Sequence, residues 1–155
     1  AVARERLARR PLGEELAARA LTAAEPRLTG GVVAARLAIS RSEVVRRLVL
    51  VVTSAGVNMA RFGSSDWRPD YQNRFPNAAK WIFEQKAAEE LPIEKISAPT
   101  LLIWGDADPI SPVSVGKHLN QRIANSSLHI LSGGDHDLGK VRAVDVAALV
   151  RQHLS

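Results

Sequence analysis

The sequence predicts an α/β protein built on a parallel sheet, and three observations predict it. Residues 48–52, 100–104 and 128–131 are continuous apolar runs, the pattern of strands buried on both faces. Helical spacing of apolar residues follows the first two runs over 78–91 and 113–123, and the third over 141–154. Strand followed by helix, three times over, calls for parallel strands joined by crossovers, which are expected to be right-handed. The 155 residues suffice for one domain with a core, and a 46% hydrophobic, 24% charged composition is that of an ordinary globular protein.

Taken in order, residues 1–28 read as a polar, alanine-rich helix or arm. Pro11 and Gly13 interrupt it, and Leu16, Ala17, Ala20 and Leu21 give it a weak apolar stripe. Arg4, Arg6, Arg9, Arg10 and Arg19 supply much of the net charge of +5. Such an arm can touch nucleic acid or anionic lipid. Glu5, Glu14 and Glu15 are interspersed and no aromatic side chain is present for base stacking, so a solvated face is the stronger reading. Residues 30–39 form a buried helix whose opening Gly30 and Gly31 allow close packing on a sheet.

After the strand at 48–52 the chain leaves the pattern. Gly56, Gly63, Ser64, Ser65, Pro69 and Pro76 make 55–76 irregular. Phe62, Trp67, Tyr71, Phe75, Trp81 and Phe83 fall in or beside this stretch, and with Trp104 they are all the aromatic residues of the chain. A long excursion between two sheet strands is commonly a functional insertion. Beyond it, Pro112 stands near the first turn of the helix at 113–123. The last helix carries Val144, Ala147, Ala148, Val150 and Leu154 as its apolar positions.

Several functions are set aside on composition. Without cysteine there is no disulfide framework and no thiolate metal site. No apolar run approaches the length of a membrane span. The opening Ala1-Val2-Ala3-Arg4-Glu5-Arg6 lacks the apolar core of a signal peptide. A cytoplasmic location is therefore expected, with no membrane and no nucleic-acid partner. The missing initiator methionine predicts a processed, tagged or cut chain.

Chemistry concentrates at Asp108 and His136. Each lies just past a predicted strand, where open α/β sheets place their reacting groups. An acid followed by a histidine is also the latter part of a Ser…Asp…His order. Several segments together then resemble the α/β-hydrolase fold. Ala98-Pro99-Thr100-Leu101-Leu102-Ile103-Trp104-Gly105-Asp106-Ala107-Asp108-Pro109-Ile110-Ser111-Pro112 is similar to the family's acid strand and turn, and the match is Asp108 rather than Asp106. Gly133-Gly134-Asp135-His136-Asp137-Leu138 resembles the histidine loop. Leu48 to Gly56 is similar to the strand before the family's lid, and the resemblance makes 56–95 a short aromatic lid. It covers 29–155, so the fold expected is a truncated α/β-hydrolase-like sheet: the C-terminal portion of that fold preceded by an atypical segment over 1–28.

Upstream the pattern departs. The family carries Gly-x-Ser-x-Gly on a strand-to-helix turn. Aligning the glycines of Pro26-Arg27-Leu28-Thr29-Gly30-Gly31 puts the nucleophile at Leu28 and the first glycine at Pro26. Residues 17–25 do not read as a buried strand. The family's earlier strands and oxyanion loop have no room in 25 residues.

The resemblance implies a serine hydrolase by descent. His136 would be general base and then general acid, and Asp108 would fix its tautomer and steady the imidazolium. Leu28 has no hydroxyl. Thr29 and Ser54 are the nearby alternatives; Ser54 suits a turn hydrogen bond better, and the Thr29 backbone N–H is the candidate oxyanion donor. Losing one such donor costs roughly 3–4 kcal/mol of transition-state stabilisation, so with the nucleophile also gone this chain is expected to be inactive. Phe62, Trp67, Phe75, Trp81 and Phe83 are the candidate pocket residues, for a small ester, lactone or related apolar carbonyl compound. No cofactor is expected.

Other readings of the same residues are plainer or different in kind. In the plainer reading Asp108 merely caps the following helix and His136 lies in a polar loop; Asp106 shapes the turn. Asp106-Ala107-Asp108 with Lys117 and Asp135 or Asp137 superficially matches an aspartyl phosphatase that uses magnesium, though the Pro109 to Pro112 turn suits a hydrolase better. Asp135, His136 and Asp137 are too close in sequence to converge readily on one metal ion, so no metal is assigned. His118, His129 and His153 read as surface or packing residues without partners. A rival of another class is a non-catalytic binding or assembly domain, in which an unpaired edge at 48–52 draws in a second copy.

Overall fold

The computed structural model describes residues 29–80, 83 and 90–155. The expected N-terminal helix and most of the helix at 78–91 lie outside them. Among the described residues three parallel strands form the sheet: β1 (Leu48–Val51), β2 (Thr100–Gly105) and β3 (Ser126–Leu131), in the order β1-β2-β3. Leu50 pairs with Leu102 across the first seam, and Leu102 with Leu128 across the second.

Strand periodicity sends alternate side chains to opposite faces. Leu48, Leu50, Leu102 and Trp104 pack on one face with Ala34, Ala35 and Ala38 of α1 (Thr29–Ser40) and Val115 and Leu119 of α3 (Val113–Arg122). Val49, Leu101 and Ile103 pack on the other with Leu138, Val146 and Val150, from α4 (Leu138–Val141) and α5 (Ala143–Leu154). Helices thus cover both faces, as the apolar runs require. Each large aliphatic side chain buried this way stabilises the fold by about 1.5–3 kcal/mol. At Gly31 a Cβ would collide with the Thr53 side chain, so only glycine lets α1 lie this close to the end of β1.

Two expectations are corrected. β2 is buried along its whole length, but β3 is not buried on both faces: His129 and Ile130 are exposed and Leu128 is half-buried. β3 is the outer strand beside β2, so an apolar run alone could not distinguish it from a central one. The last helix also does not run unbroken from 141. Arg142 interrupts it, with Val141 ending α4 and Ala143 opening α5.

The chain leaves β1 under backbone strain. Val52 and Ala55 hold φ of 39° and 46°, a region that costs a non-glycine residue on the order of 1–3 kcal/mol. The segment beyond contains α2 (Arg68–Arg74), which buries no residue. Its two ends meet where the Leu91 N–H donates to the Gly56 carbonyl at 3.3 Å. The Glu90 carboxylate also accepts from the Asn58 N–H and from Arg61.

Candidate active site

Asp108 follows β2 and His136 follows β3, so parallel neighbouring strands deliver both to the same edge of the sheet. The His136 Nδ1 lies 2.9 Å from the Asp108 Oδ2. The Asp108 side chain is fully buried, and His136 keeps 16% of its ring surface open. A buried carboxylate must be satisfied by hydrogen bonds. Here Oδ1 accepts from the Ile110 N–H at 2.8 Å and the Ser111 N–H at 3.0 Å, leaving Oδ2 to the ring. Asp108 therefore closes its own turn and holds the histidine at once. It does not cap α3, which begins after Pro112 without a side-chain cap.

The turn is supported from below. Trp104 is buried, and its Nε1 donates to the buried Ser111 Oγ at 3.1 Å. Across the seam, a Cβ on Gly105 would strike the Gly134 carbonyl, so two bare backbones pass where side chains could not. The Ala107 N–H donates to the Gly134 carbonyl at 2.9 Å, and the Asp106 Oδ1 accepts from the Gly133 N–H at 2.6 Å. On its far side the histidine loop is tied to the helices, the Arg142 guanidinium donating to the Ser132 carbonyl at 3.0 Å. The irregular segment also reaches this turn. The Ser65 N–H donates to the Pro109 carbonyl at 2.8 Å, and the Ser64 hydroxyl donates to the Ile110 carbonyl.

No family model matches the chain. Over 67 residues it is 42% identical to a Synechocystis protein described as "Putative non-heme chloroperoxidase", and over 63 residues 33% identical to "Uncharacterized hydrolase YugF" of Bacillus subtilis. Those matches take in 43% and 41% of this chain but only 24% and 22% of the relatives' length. Among solved structures it resembles a serine hydrolase involved in carbazole degradation, at 21% identity and a TM-score of 0.62, over 83% of this chain and 61% of that one. It also resembles an enol-lactonase from Burkholderia xenovorans, at 20% identity and a TM-score of 0.57, over 82% and 63%. A metagenomic enzyme from lagoon sediments of Mar Chica, described as an α/β hydrolase, matches at 20% identity and a TM-score of 0.55, over 81% and 57%. This chain has the α/β-hydrolase fold.

In this α/β-hydrolase fold some of the candidate residues come together and others stand apart. Asp108 and His136 meet. Trp67, Phe75 and Phe83 come together around Tyr71, with ring centroids 5.4, 4.9 and 6.0 Å from it. Phe62 makes a different contact, with the ring of His118 at 5.0 Å, so His118 has a partner that the sequence did not indicate. Thr29 is the first residue of α1. Leu28 and Trp81 lie outside the described residues. Ser54 Oγ accepts from the Gly56 N–H at 3.3 Å, the turn role expected of it.

Sequence reasoning passed over Gly105, Gly134, Ser111 and Arg142. Gly105 gave the one available signal, a glycine directly after a buried strand, which often marks close backbone approach. Among the described residues no cluster of three or more His, Asp or Glu side chains could hold a metal ion, and no helix is long and apolar enough to cross a membrane.

Proposed function

We propose that this chain carries the acid–base half of a serine hydrolase acting on small esters, lactones or related apolar carbonyl compounds. The observation that carries the reading is the bond between His136 Nδ1 and a fully buried Asp108 carboxylate whose other oxygen is already satisfied. A carboxylate at Nδ1 favours the proton there and leaves Nε2 to take a proton from an attacking hydroxyl and pass it to a leaving group. Asp108 then stabilises the imidazolium without itself becoming protonated. The segment over 56–95 is the lid, and its Trp67, Phe75 and Phe83 cluster would meet the apolar part of a substrate. The names of the solved neighbours, a serine hydrolase and an enol-lactonase, support this substrate class. Leu28 stands where the resemblance puts the nucleophile, so the chain supplies the base but not the hydroxyl.

Hydrolysis of short p-nitrophenyl esters by this chain, its His136→Ala variant and its Leu28→Ser variant tests the reading. We expect no turnover in the first two and turnover in Leu28→Ser. Turnover by the parent chain that His136→Ala abolishes would reveal another nucleophile. Equal turnover by all three would contradict a role for His136.

A second reading, a non-catalytic assembly domain, draws on one observation. Among the described residues β1 pairs with β2 alone, which leaves its other edge as a template for a second copy. A dimer in solution scattering would favour it, and a monodisperse monomer would count against it.

A further inference from the structure

Three consecutive residues after β2 grip the loop after β3 in register. Asp106 takes the Gly133 N–H at 2.6 Å, Ala107 takes the Gly134 carbonyl at 2.9 Å, and Asp108 takes the His136 ring at 2.9 Å. The outer members of this row are both carboxylates, two positions apart, and they hold groups three residues apart on one loop. Only one of the two touches the imidazole. We propose that Asp106 is a positioning residue for His136: its carboxylate fixes the start of the histidine loop so that the ring meets Asp108.

The geometry gives it that part. The Asp108 bond to the ring and the Ala107 bond to the Gly134 carbonyl hold the middle of the loop. The Asp106 bond to the Gly133 N–H adds a side-chain attachment nearer its start, one that fixes the direction from which the loop reaches Asp108. Gly133 has no side chain to anchor itself and sits at φ of 68°. Its amide is pointed at the neighbouring turn and donates to the Asp106 carboxylate at 2.6 Å, a charge-assisted bond. The Gly105 and Gly134 contact sets how near the two loops can come, and Asp106 sets how they are rotated. Asp106 itself is exposed and lies outside both core clusters, so its removal need not disturb the core.

The inference rests on the assignment of Asp108 and His136 as acid and base, and the test separates the two. The low-field proton resonance of His136 Nδ1–H is followed by NMR in the parent chain and in Asp108→Asn, Asp106→Ala and Asp106→Asn, with circular dichroism to show that each is folded. We expect the resonance in the parent and its loss in Asp106→Ala. Asp106→Asn should retain it, because the amide oxygen still accepts from Gly133. If Asp108→Asn leaves the resonance in place, the acid–base assignment itself fails. If the resonance depends on Asp108 but persists unchanged in Asp106→Ala, the positioning role is overturned.

Discussion

The turn after β2 and the aromatic segment after β1 approach the same edge of the sheet but are held in different ways. The turn is fixed by directional bonds: Asp108 satisfies two backbone N–H groups and a ring, and Ser111 caps the indole of Trp104 beneath it. The aromatic segment is tied by hydrogen bonds at its ends and to the turn at Ser64 and Ser65, but between these ties its rings lean on one another around Tyr71, it buries nothing in α2, and Phe75 is 45% exposed. Hydrogen bonds enforce angles, whereas apolar contact is non-directional and tolerates rearrangement. The difference matches what the proposed function asks of each part. Proton transfer requires fixed geometry, and a wall for varied apolar substrates requires adaptability.

The largest effect that can break this contrast lies under the turn. Trp104→Ala removes a fully buried indole and orphans the Ser111 hydroxyl, and should cost about 3–5 kcal/mol of stability in urea unfolding. A loss below about 1 kcal/mol would mean that the turn does not depend on its base.

Next comes the seam between the loops. Gly105→Ala places a methyl against the Gly134 carbonyl and should cost about 1–3 kcal/mol. It should also separate Asp108 from His136, and a crystal structure of the variant would show it. If Ala is accommodated with the 2.9 Å bond intact, the close approach is not what aligns the pair.

These bonds explain how much of the site was legible. The strands could be read because contiguous apolar runs report burial directly, and Asp108 and His136 because each ends such a run. The Asp106 and Gly133 bond joins residues 27 apart, and no local periodicity encodes a pairing at that range. The exposure of β3 was hidden for a related reason. Being outermost is a property of the sheet order, not of the run from Leu128 to Leu131. The break at Arg142 was missed because Val141 and Val144 fit a helical stripe, yet they are 67% and 84% exposed.

A smaller effect sharpens the comparison from the aromatic side. Tyr71→Ala removes the ring at the centre of the cluster and should destabilise by about 0.5–1.5 kcal/mol. The environment of His136 should not change, as its NMR shifts would report. Large shifts there would show that the two regions form one mechanical unit.

The smallest effect concerns His153 in α5. Burial of its ring, and then Arg47 beside it, lower its pKa below the ordinary histidine value, against an opposing pull from the backbone at Pro99 and Leu48. Among the described residues its buried Nε2 has no hydrogen-bond partner. The unfolded chain therefore binds a proton more readily than the folded one. The stability from neutral His153 is fully present above 6.5 and is lost as pH falls below that value towards the depressed folded one. Replacing His153 with Phe should flatten part of the decline in stability as pH falls below 6.5. An unchanged slope would assign that decline to other groups.

The most direct test of the account is the tautomer of neutral His136, read from the two ring nitrogens by ¹⁵N NMR. A base held by Asp108 must carry its proton on Nδ1 and leave Nε2 bare. The account predicts the Nδ1–H form in the parent chain and its loss in Asp108→Asn. A ring protonated on Nε2 in the parent chain would contradict it.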